Sequence, residues 1–279
     1  MISGDARTTL ARGDLAAASL QGLVPARRFA PTSILHGAAL AAGLRASPDE
    51  AARLDDQLLF GELFEVLERD NGWAFGQARR SGYVGYVREA DLAARSQTPS
   101  HWVNVVAAEV RSEPAERAQS LSAAPMNALV NVEVRDGAFA LAADLGWLRS
   151  EQLSPIGVHV ADYVAAAERF LGQPYLWGGR GGGGIDCSGL VQQGLFAAGW
   201  AWPRDVDQQA SLGVGVGADD LRRGDLVFWA QHVAIVTAPG RVLHASFDHG
   251  AVVTEPLAEA LARRARRGDH PVAWRRPVP

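Results

Sequence analysis

Cysteine occurs once in the 279 residues, at Cys187. A single thiol cannot close an internal disulfide, so a disulfide-stapled fold is excluded. No run approaches the roughly 18 apolar residues that a membrane-spanning helix needs. The opening stretch, MISGDARTTLARGDLAAASL, spreads Asp5, Arg7, Arg12 and Asp14 through itself and lacks the charged-then-apolar order of a secretory signal. Neither sign of charge dominates: Lys and Arg together number 27 against 31 Asp and Glu, a formal net charge of -4. That balance excludes a chain-wide electrostatic footprint for nucleic acid. The one basic cluster, Arg263, Arg264, Arg266 and Arg267, reads as a solvated helix end with cations near the C-terminal dipole. The simplest expectation is a soluble cytoplasmic protein with no membrane and no nucleic-acid partner. A precursor whose signal has been removed is the alternative. What is present is the composition of a packed globular chain, 48% hydrophobic and 21% charged, long enough for two or three domains.

Residues 1–40 place Leu15, Leu20 and Leu23 at loose helical spacing before Pro25 and Pro31, and read as a packed N-terminal arm. The next stretch repeats itself. GYVREADL begins at 85 and GWLRSEQL at 146, an offset of 61 residues. Upstream, LRASPDEAARL (44–54) resembles VRSEPAERAQSL (110–121). Short alternating runs fill the space between, LFEVLE, WAFGQAR and YVGYV in one copy, LVNVEV and AFALAA in the other. Alternation of this kind marks half-buried strands, and Asn71-Gly72 and Asp136-Gly137 mark hairpins. Two small β-barrels are expected, over 41–98 and 99–154, with one larger barrel built from both as the alternative.

Ser154-Pro155 opens a last domain, 155–279. VADYVAAAERFL (160–171) is a helical pattern ended by Gly172 and Pro174. CSGLVQQGLFAAG (187–199) is a second helix, apolar on most sides apart from Gln192 and Gln193, and so central and largely buried. Then the period switches. DLVFWA, HVAIVTA, RVLHASF and AVVTE read as consecutive strands, LAEALARRA as a helix, and VAWRR as a closing strand. Helices followed by an antiparallel meander make this domain α+β.

Cys187 opens its helix, where the dipole and free N–H groups lower a thiol's pKa and favour a nucleophile. Asp186 is an acceptable N-cap. A small buried apolar cysteine is the competing reading. His232 starts one apolar strand and His244 interrupts the next. A lone histidine on such a strand is commonly a satisfied core residue, but two on adjacent strands beside the single cysteine suit a base and its orienting partner. For both to face one way, the hairpin between them needs an odd loop, such as Ala238-Pro239-Gly240, or a bulge. His36, His101, His159, His249 and His270 are expected at surface or loop positions, and no tight ligand spacing suggests zinc.

PYLWGGR (174–180), DCSGLVQ (186–192), PRDVDQQ (203–209), LRRGDLVFW (221–229), HVAIV (232–236) and LHAS (243–246) stand in the order and at about the spacing of the NlpC-type cell-wall cysteine peptidases. The region 155–279 resembles that family, whose catalytic domain is papain-like. LLFGELFEVLE and GYVGYV resemble bacterial SH3 domains. The layout is similar to γ-D-glutamyl-L-diamino acid endopeptidases that carry two such domains. The resemblance implies a Cys187–His232–His244 triad, Tyr175 beside the oxyanion, a groove lined by Asp186, Ser188, Arg204 and Asp205, and Trp177 as a groove wall. It implies further that Glu62 and Tyr83, with Asp186, bind the free N-terminal amine of the substrate, although Tyr83 and Tyr86 also read as barrel core. Val206 stands where the family often has serine, and the Gly181–Gly184 run replaces a more ordinary loop.

The expected activity is therefore cleavage of the amide between γ-D-glutamate and a diamino acid, meso-diaminopimelate by preference, in murein peptides beginning with L-Ala. No cofactor is implied. Absence of a signal favours recycling of imported wall peptides. An amidase or acyltransferase on another amide or lipid, and a non-catalytic wall-binding module, are the rival readings.

Overall fold

The computed structural model describes residues 4–94 and 97–278. The chain divides into two compact units, Met1–Ile156 and Gly157–Pro279.

The first unit contains two separately cored β-structures. A seven-stranded antiparallel sheet runs, in spatial order, Leu54–Leu59, Ala41–Arg45, Val84–Arg88, Trp73–Ala78, Leu63–Asp70, Ser33–Gly37 and Leu92–Ala93. It closes on Leu44, Leu58, Phe64, Val66, Tyr83 and Val87. The second core, with Val103, Val110, Val130, Ala140 and Leu148, is wrapped by a five-stranded and a three-stranded sheet. The repeat seen in the sequence extends to its irregularities. Each copy breaks register at the same place, between Leu44 and Arg45 and between Val110 and Arg111. Each then ends in a 3-10 turn, Glu89–Asp91 and Ser150–Gln152. Phe60 leaves the first sheet and inserts into the second core. Gly61 permits this approach: its φ is +77° and a Cβ there would meet the Leu129 carbonyl oxygen at 2.0 Å.

Three details differ from the sequence reading. The strand Ser33–Gly37, assigned to an arm, pairs with Leu63–Asp70 and Leu92–Ala93 and so belongs to the first sheet. His36 on it is buried rather than superficial. The second hairpin turns at Gly137-Ala138, because Asp136 pairs with Phe139, whereas Asn71-Gly72 turns where expected.

The second unit sets four helices around a six-stranded antiparallel sheet. Its order is Val214–Gly215, Ala273–Arg276, Leu226–Trp229, His232–Ala238, Arg241–Ser246 and Ala251–Pro256. The chain's last strand thus inserts beside the first long one instead of extending the meander. Helix α1 (Tyr163–Glu168) is shorter than its pattern, capped by Asp162, whose side chain accepts from the Val164 N–H. Helix α2 (Cys187–Ala197) is buried along its whole length. Its apolar residues Leu190, Val191, Leu195 and Phe196 are almost fully covered, each contributing about 1.5–3 kcal/mol of burial. Its two glutamines are reconciled with that burial by hydrogen bonds, Gln192 Nε2 donating to the Trp202 carbonyl at 2.9 Å and Gln193 Nε2 to the Arg180 carbonyl at 2.6 Å. Helix α3 (Val206–Ala210) was not foreseen. Helix α4 (Leu257–Ala265) packs Ala260, Leu257 and Leu261 on the sheet face that carries Val227, Trp229, Ala234, Val236 and Val242.

Candidate active site

The site begins at the start of α2. Asp186 caps this helix: its Oδ1 accepts from the Gly189 N–H at 2.7 Å. The same oxygen accepts from Arg204 Nη1 at 2.9 Å, while Oδ2 accepts from Arg204 Nη2 at 2.6 Å and the Gly178 N–H at 2.8 Å. Ser188 Oγ accepts a further bond from Arg204 Nη1 at 2.8 Å. Arg204 and Asp186 form a buried bidentate pair that fixes where the helix starts, and hence where Cys187 sits. Asp205 lies just beyond and closes a capping box with Gln208 at the start of α3.

The expected depression of the Cys187 pKa is overturned. Burial pushes the thiol up to about 12, and the Asp186 charge adds to the rise. The Val233 and Ser188 backbone N–H groups and Arg204 act in the opposite sense without prevailing. The sequence argument weighed the helix terminus but not the desolvation of a fully covered sulfur. Tyr175 is a close electrostatic neighbour of Cys187. Burial first, then Cys187 and Asp186, raise its phenol well above the usual range, so it stays a hydrogen-bond donor.

The two histidines meet. His232 Nε2 and His244 Nδ1 lie 2.7 Å apart, with ring centroids at 4.9 Å. The hairpin joining them is the two-residue Pro239-Gly240 turn, since Ala238 pairs with Arg241. A bulge restores the common face: register shifts between Val236 and Ala238, leaving Thr237 over, and Ile235 then pairs with Leu243. Burial lowers the pKa of both rings, His244 to about 4 and His232 well below its ordinary value. At rest the thiol and both imidazoles are therefore neutral.

Sequence reasoning missed Glu255 and Arg263. Glu255 Oε1 lies 2.7 Å from His244 Nε2. Arg263 on α4 donates to both Glu255 oxygens, Nη1 to Oε2 at 2.6 Å and Nη2 to Oε1. The signal was available in the register: Val242 pairs with Glu255 and His244 with Val253, so Glu255 is a same-face diagonal neighbour of His244. The arginine cluster is correspondingly less solvated than expected. Arg264 stacks over Trp229 at 5.1 Å and pairs with Asp269, and only Arg266 and Arg267 are exposed.

A cleft of about 280 Å³ opens beside His232, lined by Tyr175, Trp177, Gln231, Phe247, Arg264 and Arg267 together with Asp248. Trp177 is 53% exposed and Phe247 79%, so the rim is apolar and open. The other expected substrate residues lie in the first unit. Glu62 is buried, accepting from the Leu59 N–H at 3.1 Å and from Arg80 at 3.2 Å. Tyr83 belongs to the first barrel's core. Of the remaining histidines, His159, His249 and His270 are exposed, while His101 lies on a strand and is partly buried. One grouping of metal-type donors occurs among the described residues, His244, His249 and Glu255. Arg263 on the carboxylate and the Ser246 hydroxyl on His249 Nδ1 already engage it.

A buried thiol at a helix N-terminus, a hydrogen-bonded histidine pair on the adjoining antiparallel sheet and a phenol within electrostatic reach of the thiol define a papain-like cysteine hydrolase. Comparison with known proteins gives the family. Residues 172–268 match the NlpC/P60 family, and residues 44–92 match the bacterial dipeptidyl-peptidase Sh3 domain. The chain is 30% identical over 233 residues to the gamma-D-glutamyl-L-lysine dipeptidyl-peptidase of Bacillus subtilis, covering 75% of this chain and 77% of that one. It is 28% identical over 246 residues to dipeptidyl-peptidase 6 of Lysinibacillus sphaericus, covering 79% and 90%. The fold is shared with an NlpC/P60 family protein from Bacillus cereus at a TM-score of 0.76 and 23% identity, covering 88% of this chain and all of that one. The chain belongs to the NlpC/P60 family of cysteine peptidases and carries a bacterial SH3 domain ahead of its catalytic domain.

Proposed function

We propose that this peptidase hydrolyses the amide between γ-D-glutamate and a diamino acid in murein stem peptides with a free N-terminal L-Ala. The observation that carries the reading is the His232–His244 contact at 2.7 Å beside the helix that begins with Cys187. His232 takes the thiol proton as sulfur attacks the γ-carbonyl and a C–S bond forms. The oxyanion faces the Cys187 N–H, which has no intrahelical acceptor, and the Tyr175 phenol. The C–N bond then breaks as His232 protonates the leaving amine. Water, deprotonated by His232, displaces the thiolate and releases the acid; the thiol recovers its proton.

The names of the relatives support the γ-D-glutamyl specificity, and they specify lysine. Arg264 and Arg267 in the cleft beside His232 suit a leaving group with a second carboxylate, which favours meso-diaminopimelate here. Free-amine recognition is proposed from the resemblance with no carboxylate assigned to it: Asp186 already accepts from Arg204, Gly178 and Gly189, and Glu62 from Leu59 and Arg80, which argues against either taking an ammonium as well. Tyr83, within the barrel core, is left out of this proposal. A requirement for the free amine would confine the enzyme to released peptides, and on that ground recycling inside the cell is part of the proposal. The raised thiol pKa is what a non-catalytic binding module would also show. The buried histidine pair is what that second reading leaves without a purpose.

Mass spectrometry of the purified protein with L-Ala-γ-D-Glu-meso-diaminopimelate, its N-acetylated form and its L-lysine counterpart decides among these. Release of L-Ala-D-Glu from free peptide alone, faster from diaminopimelate than from lysine and abolished in Cys187→Ala, is expected. Cleavage of the acetylated peptide would remove the free-amine and recycling parts. Equal inertness of wild type and Cys187→Ala would favour the binding module.

A further inference from the structure

We propose that Glu255, clamped by Arg263, is a positioning residue that dictates which nitrogen of His244, and through it of His232, carries the proton. The inference rests on the reading of Cys187 and His232 as nucleophile and base. A base at His232 works only if the ring nitrogen turned to the sulfur has a lone pair. Nε2 of His232 is committed to His244 at 2.7 Å, so the nitrogen left for Cys187 is Nδ1. Nothing within the histidine pair itself decides the matter. A contact between two neutral imidazoles is satisfied equally by either polarity, with His232 donating or with His244 donating. In one polarity Nδ1 of His232 is bare and can accept a proton. In the other it already carries one and cannot.

The third contact breaks the tie. Glu255 Oε1 lies 2.7 Å from His244 Nε2. The N–H direction lies off the line to Oε1, but two lone pairs at that distance would repel, so the contact favours the tautomer with the His244 proton on Nε2. Its Nδ1 is then the lone pair, His232 Nε2 must donate to it, and His232 Nδ1 is left bare. The carboxylate is kept ionised by Arg263, which donates to both of its oxygens and whose hold, with His244 and His249 nearby, keeps the Glu255 pKa below its usual range despite burial. Arg263 is itself held by Asp248 at 3.2 Å, and Asp248 by Arg267 at 2.8 Å. Burial keeps both rings neutral, and only in neutral rings does tautomer choice matter. The fold supplies the geometry cheaply. Glu255 is the penultimate residue of the strand beside His244, and α4 starts two residues later and returns Arg263 to it within one short helix.

The resting protein tests this directly. In long-range 15N–1H NMR of the full wild-type chain, His232 and His244 should both appear as Nε2–H tautomers. Glu255→Gln inverts the arrangement. Arg263 retains the amide oxygen, the NH2 group faces His244 Nε2, and both histidines should shift to Nδ1–H. Its kcat should fall about 100-fold or more with KM within about twofold, the pattern of a wrong tautomer and not of lost binding. Glu255→Asp should recover part of the loss. A wild-type His232 in the Nδ1–H form, or Glu255→Gln with unchanged tautomers and kcat, would overturn the proposal. Should the protein cleave none of the peptides, the reaction assigned above fails, while the tautomer spectrum still decides this inference by itself.

Discussion

His232 and His244 share one face of the sheet because Thr237 between them is left out of register. Side chains alternate along a strand, so an unbulged Pro239-Gly240 hairpin would put these rings on opposite faces. With Thr237 present, the bulge is thus the condition for the histidine contact. Deleting Thr237 removes the extra residue and leaves Val236 opposite Val242 and Ala238 opposite Arg241, so both rings stay on one face and kcat should stay within about tenfold. Circular dichroism should report whether the sheet persists. A folded deletion variant that has lost about 10³-fold in kcat, the scale at which triad members are missed, would show that the contact needs the bulge itself and not only the parity of the hairpin.

The thiol carries the second expectation. With a pKa pushed up to about 12, Cys187 is neutral at rest, and thiolate forms only as His232 takes its proton during attack. Iodoacetamide labelling of the free enzyme should therefore climb about tenfold per pH unit from 7 to 9 without a plateau, and thiolate absorbance near 240 nm should be absent at pH 8. A labelling plateau below pH 7 would reveal a preformed thiolate–imidazolium pair and overturn the neutral resting state.

Much of this was legible in the sequence. The two sheet-forming repeats, the buried helix opened by Cys187 and the strand bearing each histidine follow from periodicity and punctuation, and the histidine facing problem could be posed from parity alone. What escaped depended on long-range placement. Ser33–Gly37 reads as an arm because its partner strands, Leu63–Asp70 and Leu92–Ala93, lie far along the chain. Glu255 and Arg263 are unremarkable charges until strand register and helix return place them on His244. The Cys187 pKa was misjudged for a related reason: a helix terminus is visible in sequence, whereas the degree to which a sulfur is covered is not.

Acid should unfold the catalytic unit through its histidines. The His244 pKa is about 4 in the folded chain against an ordinary 6.5. The unfolded chain binds the extra proton first, so the stability is fully present above pH 6.5 and is lost as pH falls from 6.5 towards 4. The linkage amounts to roughly 3 kcal/mol for this residue, at about 1.4 kcal/mol per pH unit inside the window. His232, lowered in the same direction, adds to it. Urea unfolding of wild type and His244→Asn between pH 7 and 4.5 should show a shallower loss in the variant. Parallel curves would mean that His244 is not held neutral by the fold.

Arg204 and Asp186 provide the last test, because their pairing makes opposite demands on two substitutions. Both side chains are buried, and the guanidinium meets the carboxylate through two bonds, 2.6 and 2.9 Å. Arg204→Met leaves the Asp186 charge uncompensated in a covered site and should destabilise by about 3–5 kcal/mol. Asp186→Asn added to it removes the orphaned charge while an asparagine still caps α2, so part of that loss should return. The double variant should stay slow, since Arg204 also holds Ser188 and both set the start of the helix that presents Cys187. Chemical denaturation of the single and double variants gives the coupling energy. If the second substitution deepens the loss by its full independent cost, the pair is not the coupled unit described here, and Asp186 stabilises the helix start on its own through Gly178 and Gly189.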